Sequence, residues 1–89
     1  MLKETITIIN KLGLHTRAAA KLVATASQFE SKIQITRNNQ LADCKSIMSL
    51  IMLGVTKNVV LELIISGADE QEARDAIVNL FKNRFGEAE

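Results

Sequence analysis

Hydrophobic residues follow two spacings along the chain, and each spacing predicts one type of secondary structure. Alternation of apolar and polar residues is typical of strands with one buried face, and it occurs in segments 2–9, 32–37, 40–44 and 59–66. Apolar residues three or four positions apart are typical of amphipathic helices, and they occur in segments 16–29, 47–53 and 73–81. The pattern therefore predicts four strands and three helices.

Short polar motifs mark where these elements begin and turn. Asn38 and Asn39 tolerate positive φ and predict a tight hairpin between the second and third strands. Ser46 precedes an apolar run, as an N-cap residue does. Asp69 and Glu72 form a D-x-x-E capping motif for the last helix. The predicted order is strand, helix, strand, strand, helix, strand, helix.

This order predicts an α+β fold with two layers. The helices have apolar stripes that only a sheet can cover, and the strands alternate instead of being apolar on both faces. We therefore expect a two-layer open-faced sandwich, in which a four-stranded antiparallel sheet carries three helices on one face (βαββαβα), with the strand at 59–66 in a central position. Because 89 residues suffice for one hydrophobic core, residues 1–89 are expected to form a single domain.

The charge balance argues against binding of nucleic acid. The net charge of +1 creates no broad field that would attract nucleic acid or an anionic membrane. An RNA-binding sheet would also need aromatic side chains on its strands, whereas Phe29, Phe81 and Phe85 all fall on predicted helices. A small-molecule regulatory domain would need no distinctive residues, so the sequence leaves that alternative open.

The content of cysteine and histidine argues against disulfides and metal sites. Cys44 has no second cysteine to pair with and is expected to pack at a strand end, and a single histidine provides no zinc-binding spacing. Neither a metal nor a cofactor is predicted.

The N-terminus has Lys3 and Glu4 where a secretory signal would be apolar, and no apolar run reaches the roughly 20 residues of a membrane span. We therefore expect a cytoplasmic protein without membrane insertion.

One segment combines residues that could carry chemistry. His15 stands directly before the first predicted helix, with Gly13 two residues upstream and Arg17 two residues downstream. A helix N-terminus attracts anions through its unpaired amides and disfavours a cationic imidazole, so His15 is expected to be a neutral nucleophile. A phosphoryl group on His15 would meet the amides of Thr16 and Arg17 and the Arg17 guanidinium. Because helix-terminal histidines are common, the residues alone favour the alternative in which His15 is an N-cap or surface residue and Arg17 a solvated charge of the first turn.

Two motifs of the chain resemble one protein family. Residues 13–17, Gly-Leu-His-Thr-Arg, resemble the active-site motif of the histidine-containing phosphocarrier (HPr) family of the bacterial phosphoenolpyruvate-dependent sugar phosphotransferase system. Residues 45–54, Lys-Ser-Ile-Met-Ser-Leu-Ile-Met-Leu-Gly, resemble the regulatory-serine segment of that family. The two motifs lie at the family's mutual spacing, and the resemblance extends over the whole chain.

The resemblance implies a carrier in a phosphoryl relay instead of an enzyme acting alone. Enzyme I, charged by phosphoenolpyruvate, would phosphorylate His15 on Nδ1 to give a pros-phosphohistidine. Arg17 would stabilise the charge of the phosphoryl group, which would pass to EIIA domains of sugar transporters. Such a carrier is expected to be a monomer and to need no cofactor.

The resemblance also implies a regulatory residue and a docking surface. Ser46 matches the serine that an HPr serine kinase/phosphatase modifies in some members, and its phosphate would lie close to the docking face. The second helix is too apolar for a single buried stripe. Its exposed part, with one residue of the first helix, is expected to contact enzyme I, EIIA and the serine kinase. The residues of this docking surface are Ala20, Ile47, Met48 and Ile51.

The chain departs from the family pattern at three positions. Ala18 stands where the family commonly has proline, which predicts a looser start of the first helix. Ala24 and Ser27 stand where members often have lysine, so that Lys21 remains. The loss of these lysines bears on partner specificity. A paralogue of the nitrogen-related phosphotransfer branch, or a carrier with a regulatory role only, is the alternative to sugar uptake.

Overall fold

Four strands and three helices follow one another in the predicted order, and the computed structural model describes all residues, 1–89. The strands are β1 (Leu2–Thr7), β2 (Lys32–Arg37), β3 (Gln40–Asp43) and β4 (Val60–Ser66). The helices are α1 (Thr16–Ala26), α2 (Ile47–Met52) and α3 (Glu70–Lys82), and a 3₁₀ turn at Arg84–Gly86 follows α3. None of the helices is long and apolar enough to cross a bilayer.

The strands form one antiparallel sheet in the order β1-β4-β2-β3. The last strand, β4, lies between β1 and β2, which confirms its predicted central position. The hairpin between β2 and β3 turns at Asn38 and Asn39, whose φ angles of 50° and 65° are those of a tight type I′ turn. The predicted α+β sandwich with three helices on one face of an open sheet is confirmed.

The core lies between the sheet and the helices. Alternate residues of the strands point into it, and the positions between them face the open side. The helices contribute Ala18, Ala19, Leu22 and Ala26 from α1, Leu50 from α2, and Ala73, Ile77, Val78 and Phe81 from α3. Phe81 and Phe85 meet edge to face, with ring centroids 4.9 Å apart. No aromatic side chain lies on the strands, so the open sheet face has no stacking platform for bases.

Helix α1 ends earlier than the sequence predicts. It stops at Ala26, and the chain continues in tighter turns in which the amide of Phe29 donates to the Ala26 carbonyl at 3.2 Å. Phe29 still packs against the core, which explains why its position fitted the helical spacing. Phe85 also lies outside the regular helices, in the 3₁₀ turn. The predicted extension to residue 29 is therefore wrong by three positions.

The predicted capping box of α3 is also wrong. Asp69 is the N-cap residue, but its side chain does not cap the helix. It accepts hydrogen bonds from the amides of Glu30 and Ser31, both at 2.9 Å, and from the Ser31 hydroxyl at 2.5 Å. The bond from the Ser31 hydroxyl, together with the backbone bonds, lowers the pKa of Asp69. Asp69 therefore connects the segment after α1 to the start of α3.

Cys44 lies fully buried at the end of β3. Burial, with a smaller contribution from the neighbouring Asp43 carboxylate, raises the pKa of the Cys44 thiol from 9.0 to about 12. The thiol therefore stays protonated, and its predicted role as a packing residue is confirmed.

Candidate functional site

The loop between β1 and α1 carries the histidine, and its shape depends on Gly13. Gly13 has a φ of 67°, and a Cβ atom there would lie 2.5 Å from the Val55 carbonyl oxygen and 2.8 Å from Cα of Thr56. Only glycine fits both the conformation and the close approach. Leu14 is buried in the core, and its amide donates to the Val55 carbonyl at 3.1 Å. The chain therefore enters α1 at a fixed point.

His15 is the N-cap residue of α1, with an extended backbone (φ −76°, ψ 178°). Its carbonyl accepts the amide of Ala19 at 2.8 Å, and its side chain makes no capping bond. The amides of Thr16, Arg17 and Ala18 have no acceptor within the chain. Because unpaired amides and the helix dipole attract anions, the first turn of α1 offers three free N–H donors next to the imidazole.

The imidazole ring contacts a carboxylate from the C-terminal end of the chain. Nε2 of His15 lies 2.5 Å from Oε2 of Glu87, a residue 72 positions further along the chain. An ionised carboxylate can only accept, so the proton in this hydrogen bond belongs to Nε2. Nδ1 forms no hydrogen bond within the chain. The ring nitrogen that remains available is therefore Nδ1, the atom on which the family resemblance implies phosphorylation.

Glu87 is kept ionised by its neighbours. Burial acts to raise the pKa of the Glu87 carboxyl, but hydrogen bonds with His15 and Asn10 outweigh it, and the pKa lies below its usual value. Nδ2 of the fully buried Asn10 donates to Oε1 of Glu87 at 3.0 Å and to the Gly13 carbonyl at 2.7 Å. The neutral state of the His15 ring that the sequence predicts stays a prediction.

Arg17 lies beside this pair and is free to meet an anion. Its side chain is exposed, and its guanidinium takes part in none of the ion pairs of the chain. It lines a cleft of about 660 Å³ together with Lys11, Lys21, Glu87 and Glu89. Three cations and two carboxylates therefore line the open space beside Glu87, the hydrogen-bond partner of His15.

Comparison with known proteins identifies the family to which this site belongs. The family model described as "PTS HPr component phosphorylation site" matches residues 2–83. The chain belongs to the HPr family. Its fold and motifs are those of a phosphocarrier protein of the phosphotransferase system, as the sequence predicts.

Similar proteins and solved structures agree with this assignment. The chain is 52% identical to the phosphocarrier protein HPr of Neisseria meningitidis serogroup A, with 100% of both chains covered. It is 52% identical to the phosphocarrier protein HPr of Cupriavidus necator, again over 100% of both. The crystal structure of HPr-C-His from Thermoanaerobacter tengcongensis superposes with a TM-score of 0.96 at 45% identity and covers 100% of both chains.

One of the similar solved structures is a dimer. A crystal structure described as an HPr dimer from Thermoanaerobacter tengcongensis matches with a TM-score of 0.76 at 48% identity, over 98% of this chain and 100% of that chain. The monomer expected from the sequence therefore stays a prediction.

The residues expected to bind the phosphoryl group in an HPr protein lie together. His15, Thr16 and Arg17 form the start of α1, and their roles remain predictions. Ala18, where the family commonly has proline, is fully buried in the core and lies in a regular first turn. Lys21 does not point free into solvent, because its Nζ donates to the Phe85 carbonyl at 2.6 Å.

Ser46 is the N-cap of α2, as the sequence predicts. Its Oγ accepts the amide of Ser49 at 3.3 Å, and the residue is partly exposed. The hydroxyl of Ser46 therefore caps the start of α2.

The expected docking surface is exposed on two helices that pack against each other, α1 and α2. Ala20 is exposed, and Met48 is 65% exposed, whereas Ile47 and Ile51 are 39% and 37% exposed. Two further apolar side chains of this region were not predicted: Leu12 is 63% exposed and Met52 is 76% exposed. The role of the predicted residues in docking stays a prediction.

Proposed function

We propose that residues 1–89 form one phosphocarrier domain that accepts a phosphoryl group from phospho-enzyme I on Nδ1 of His15 and transfers it to EIIA domains of sugar transporters. The observation that carries this proposal is the arrangement of His15. Its Nε2 is engaged, its Nδ1 is free, and three unpaired amides follow it. The family match supports the same chemistry.

The transfer requires a nucleophile and charge stabilisation, and this chain supplies both. The Nδ1 lone pair attacks the phosphorus atom of a donor phosphohistidine, and the donor imidazole leaves with the electrons of the broken N–P bond. The amides of Thr16 and Arg17 and the Arg17 guanidinium stabilise the moving phosphoryl group. Neither a metal nor a cofactor takes part, and turnover belongs to the relay of partners instead of this chain alone.

Partners bind across the start of α1 and the exposed face of α2. The exposed side chains of Met48, Ile47, Ile51 and Ala20 provide an apolar surface next to charged groups of the cleft, a composition typical of transient interfaces. Enzyme I, EIIA and an HPr serine kinase/phosphatase would use this surface in turn. The cytoplasmic location expected from the sequence stays a prediction.

Phosphorylation of Ser46 is expected to inhibit the relay. Ser46→Asp should slow phosphorylation of His15 by enzyme I about 10-fold or more, because a negative charge at the docking surface repels an acidic partner. The fold should persist, since aspartate is a good N-cap. Ser46→Ala is the matched control, which loses the cap but adds no charge. Equal rates for Ser46→Asp and the wild type, or equal slowing in Ser46→Ala, would remove the regulatory role.

Reconstitution of the relay tests the proposed function. The purified chain is incubated with labelled phosphoenolpyruvate and enzyme I, and then with EIIA domains of the sugar and nitrogen-related branches. We expect one acid-labile, base-stable phosphate per chain, followed by its faster transfer to a sugar-branch EIIA. No uptake of label contradicts the carrier role, and faster transfer to the nitrogen-branch EIIA assigns the chain to that branch.

A further inference from the structure

Glu87 and the residues that hold it form a support for His15 that is separate from the phosphoryl-binding amides. The carboxylate of Glu87 engages His15 through Oε2 and Asn10 through Oε1. Asn10 is fully buried, and its Nδ2 also donates a hydrogen bond to the Gly13 carbonyl. Both oxygens of Glu87 are therefore held, and its side chain is only 13% exposed. A carboxylate held in this way can fix the orientation of an imidazole.

The backbone before Glu87 is also arranged to place it there. Arg84, Phe85 and Gly86 have φ angles of 57°, 55° and 78°, three successive left-handed residues that turn the chain back after α3. Non-glycine residues adopt this conformation at a cost, so surrounding contacts must hold it. Phe85 is buried in the core, its carbonyl accepts Nζ of Lys21 at 2.6 Å, and the amide of Gly86 donates to the Asn83 side chain at 3.0 Å.

The segment after this turn lies against the loop that carries His15. The amide of Lys11 donates to the main-chain oxygen of Glu89 at 2.9 Å, and Nζ of Lys11 lies 3.6 Å from Oε2 of the Glu89 side chain. Glu87 lies beyond residue 83, the last residue that the family model matches. The contact between Glu87 and His15 therefore joins the end of the chain to the loop before α1.

We propose that Glu87 is a positioning residue for phosphoryl transfer, which accepts the Nε2–H hydrogen bond of His15 and so selects the imidazole tautomer with its lone pair on Nδ1. This inference rests on the proposed function. When Nδ1 forms the new N–P bond, Nε2 keeps its proton and the ring becomes a phosphorylated imidazolium. The carboxylate of Glu87 then faces the positive charge that develops on the ring. Asn10 acts through Glu87 by holding its second oxygen.

Other charged groups near His15 cannot replace Glu87. Lys11, Arg17 and Lys21 line the same cleft but are cations, which disfavour a developing imidazolium. Glu89 is the second carboxylate of the cleft, but its side chain is 74% exposed and pairs with Lys11. Glu89 therefore provides a matched control, with the same charge on the same segment and no contact with His15.

Two measurements on three variants test this role. The variants are Glu87→Ala, Glu87→Gln and the control Glu89→Gln. The first measurement is nitrogen-15 NMR of the unphosphorylated chain at alkaline pH, where the ring is neutral, which reports the His15 tautomer. The second is kcat/KM for phosphorylation by phospho-enzyme I. Glutamine keeps a hydrogen-bond acceptor without the charge and serves as the isosteric variant if alanine perturbs the fold.

We expect the wild type and Glu89→Gln to carry the proton on Nε2. Glu87→Ala should show a mixture of tautomers and a kcat/KM lower by about 10- to 100-fold. Glu87→Gln should retain more of the Nε2–H tautomer but still lose rate, since it cannot stabilise the developing charge. An unchanged tautomer or an unchanged kcat/KM in Glu87→Ala overturns the positioning role. The tautomer is measured on the unphosphorylated chain. A failure of the positioning role can therefore be distinguished from a failure of the proposed carrier function, in which the wild type accepts no phosphate.

Discussion

His15→Gln should abolish phosphoryl acceptance and leave the fold intact. The chain has one histidine, and no other side chain combines a free nucleophilic nitrogen with the unpaired amides at the start of α1. The His15 side chain caps no helix and lies outside the core. Because glutamine can still donate to Glu87, the free energy of unfolding should fall by only about 1 kcal/mol. Labelled phosphate uptake from enzyme I and thermal unfolding measure the two effects.

Lys3→Gln is the matched control for this prediction. Lys3 is exposed on β1, on the open side of the sheet, so its loss changes the charge without changing the site. This variant should accept phosphate at the rate of the wild type. Acid-labile phosphate on His15→Gln at more than trace level would mean that another residue is the acceptor.

Gly13→Ala should have the largest effect on stability of the substitutions considered. An alanine must adopt a φ of 67° and also displace the Val55 carbonyl, which a Cβ atom would approach to 2.5 Å. Left-handed conformation and overpacking together should cost roughly 2–5 kcal/mol. For a chain of this size that loss lowers the melting temperature by about 10 °C or more. The displaced loop should also slow phosphorylation of His15, because the histidine enters α1 through Leu14.

Gly54→Ala separates the two contributions to this loss. Gly54 has a nearly identical φ of 65°, but no atom lies within 4 Å of the position of its Cβ. The substitution should therefore cost only the conformational part, roughly 1–2 kcal/mol. If the two variants unfold at the same temperature, the close approach of Gly13 to Val55 does not shape the loop.

Most of the fold could be predicted because its elements are amphipathic and their local signals agree. The alternation in β1 and β4 and the apolar stripe of α1 come from a core with one buried face per element. The hairpin at Asn38 and Asn39 and the cap at Ser46 depend only on neighbouring residues. Local sequence is sufficient for such features.

Two predictions, the capping box of α3 and the end of α1, were wrong because contacts with other parts of the fold replaced the local structure that the sequence suggests. Asp69 stands in a local capping motif, but its carboxylate binds Glu30 and Ser31, which lie almost 40 residues earlier. A capping motif in a sequence does not show whether amides from a distant segment will bind the capping side chain instead of the helix amides. The end of α1 was misplaced because Phe29, which is partly buried, packs against the core at helical spacing without being helical.

The candidate site was predicted only in its local part. His15, Thr16 and Arg17 are consecutive, and their arrangement follows from the position of a helix start. Glu87 and Asn10 could not be assigned, because no periodicity or motif indicates that the last residues of the chain return to the loop after β1. The left-handed turn at 84–86 that brings them together includes two non-glycine residues, which no sequence pattern predicts.

The central claim is that His15 carries the phosphoryl group on Nδ1, and NMR of the phosphorylated chain tests it most directly. Phosphorus-31 and nitrogen-15 spectra of the uniformly labelled chain, recorded after reaction with phosphoenolpyruvate and enzyme I, identify the atom that bears phosphorus. We predict a single phosphoryl group, on Nδ1 of His15, with the proton retained on Nε2 beside Glu87. A phosphoryl group on Nε2, or on any residue other than His15, would contradict the account.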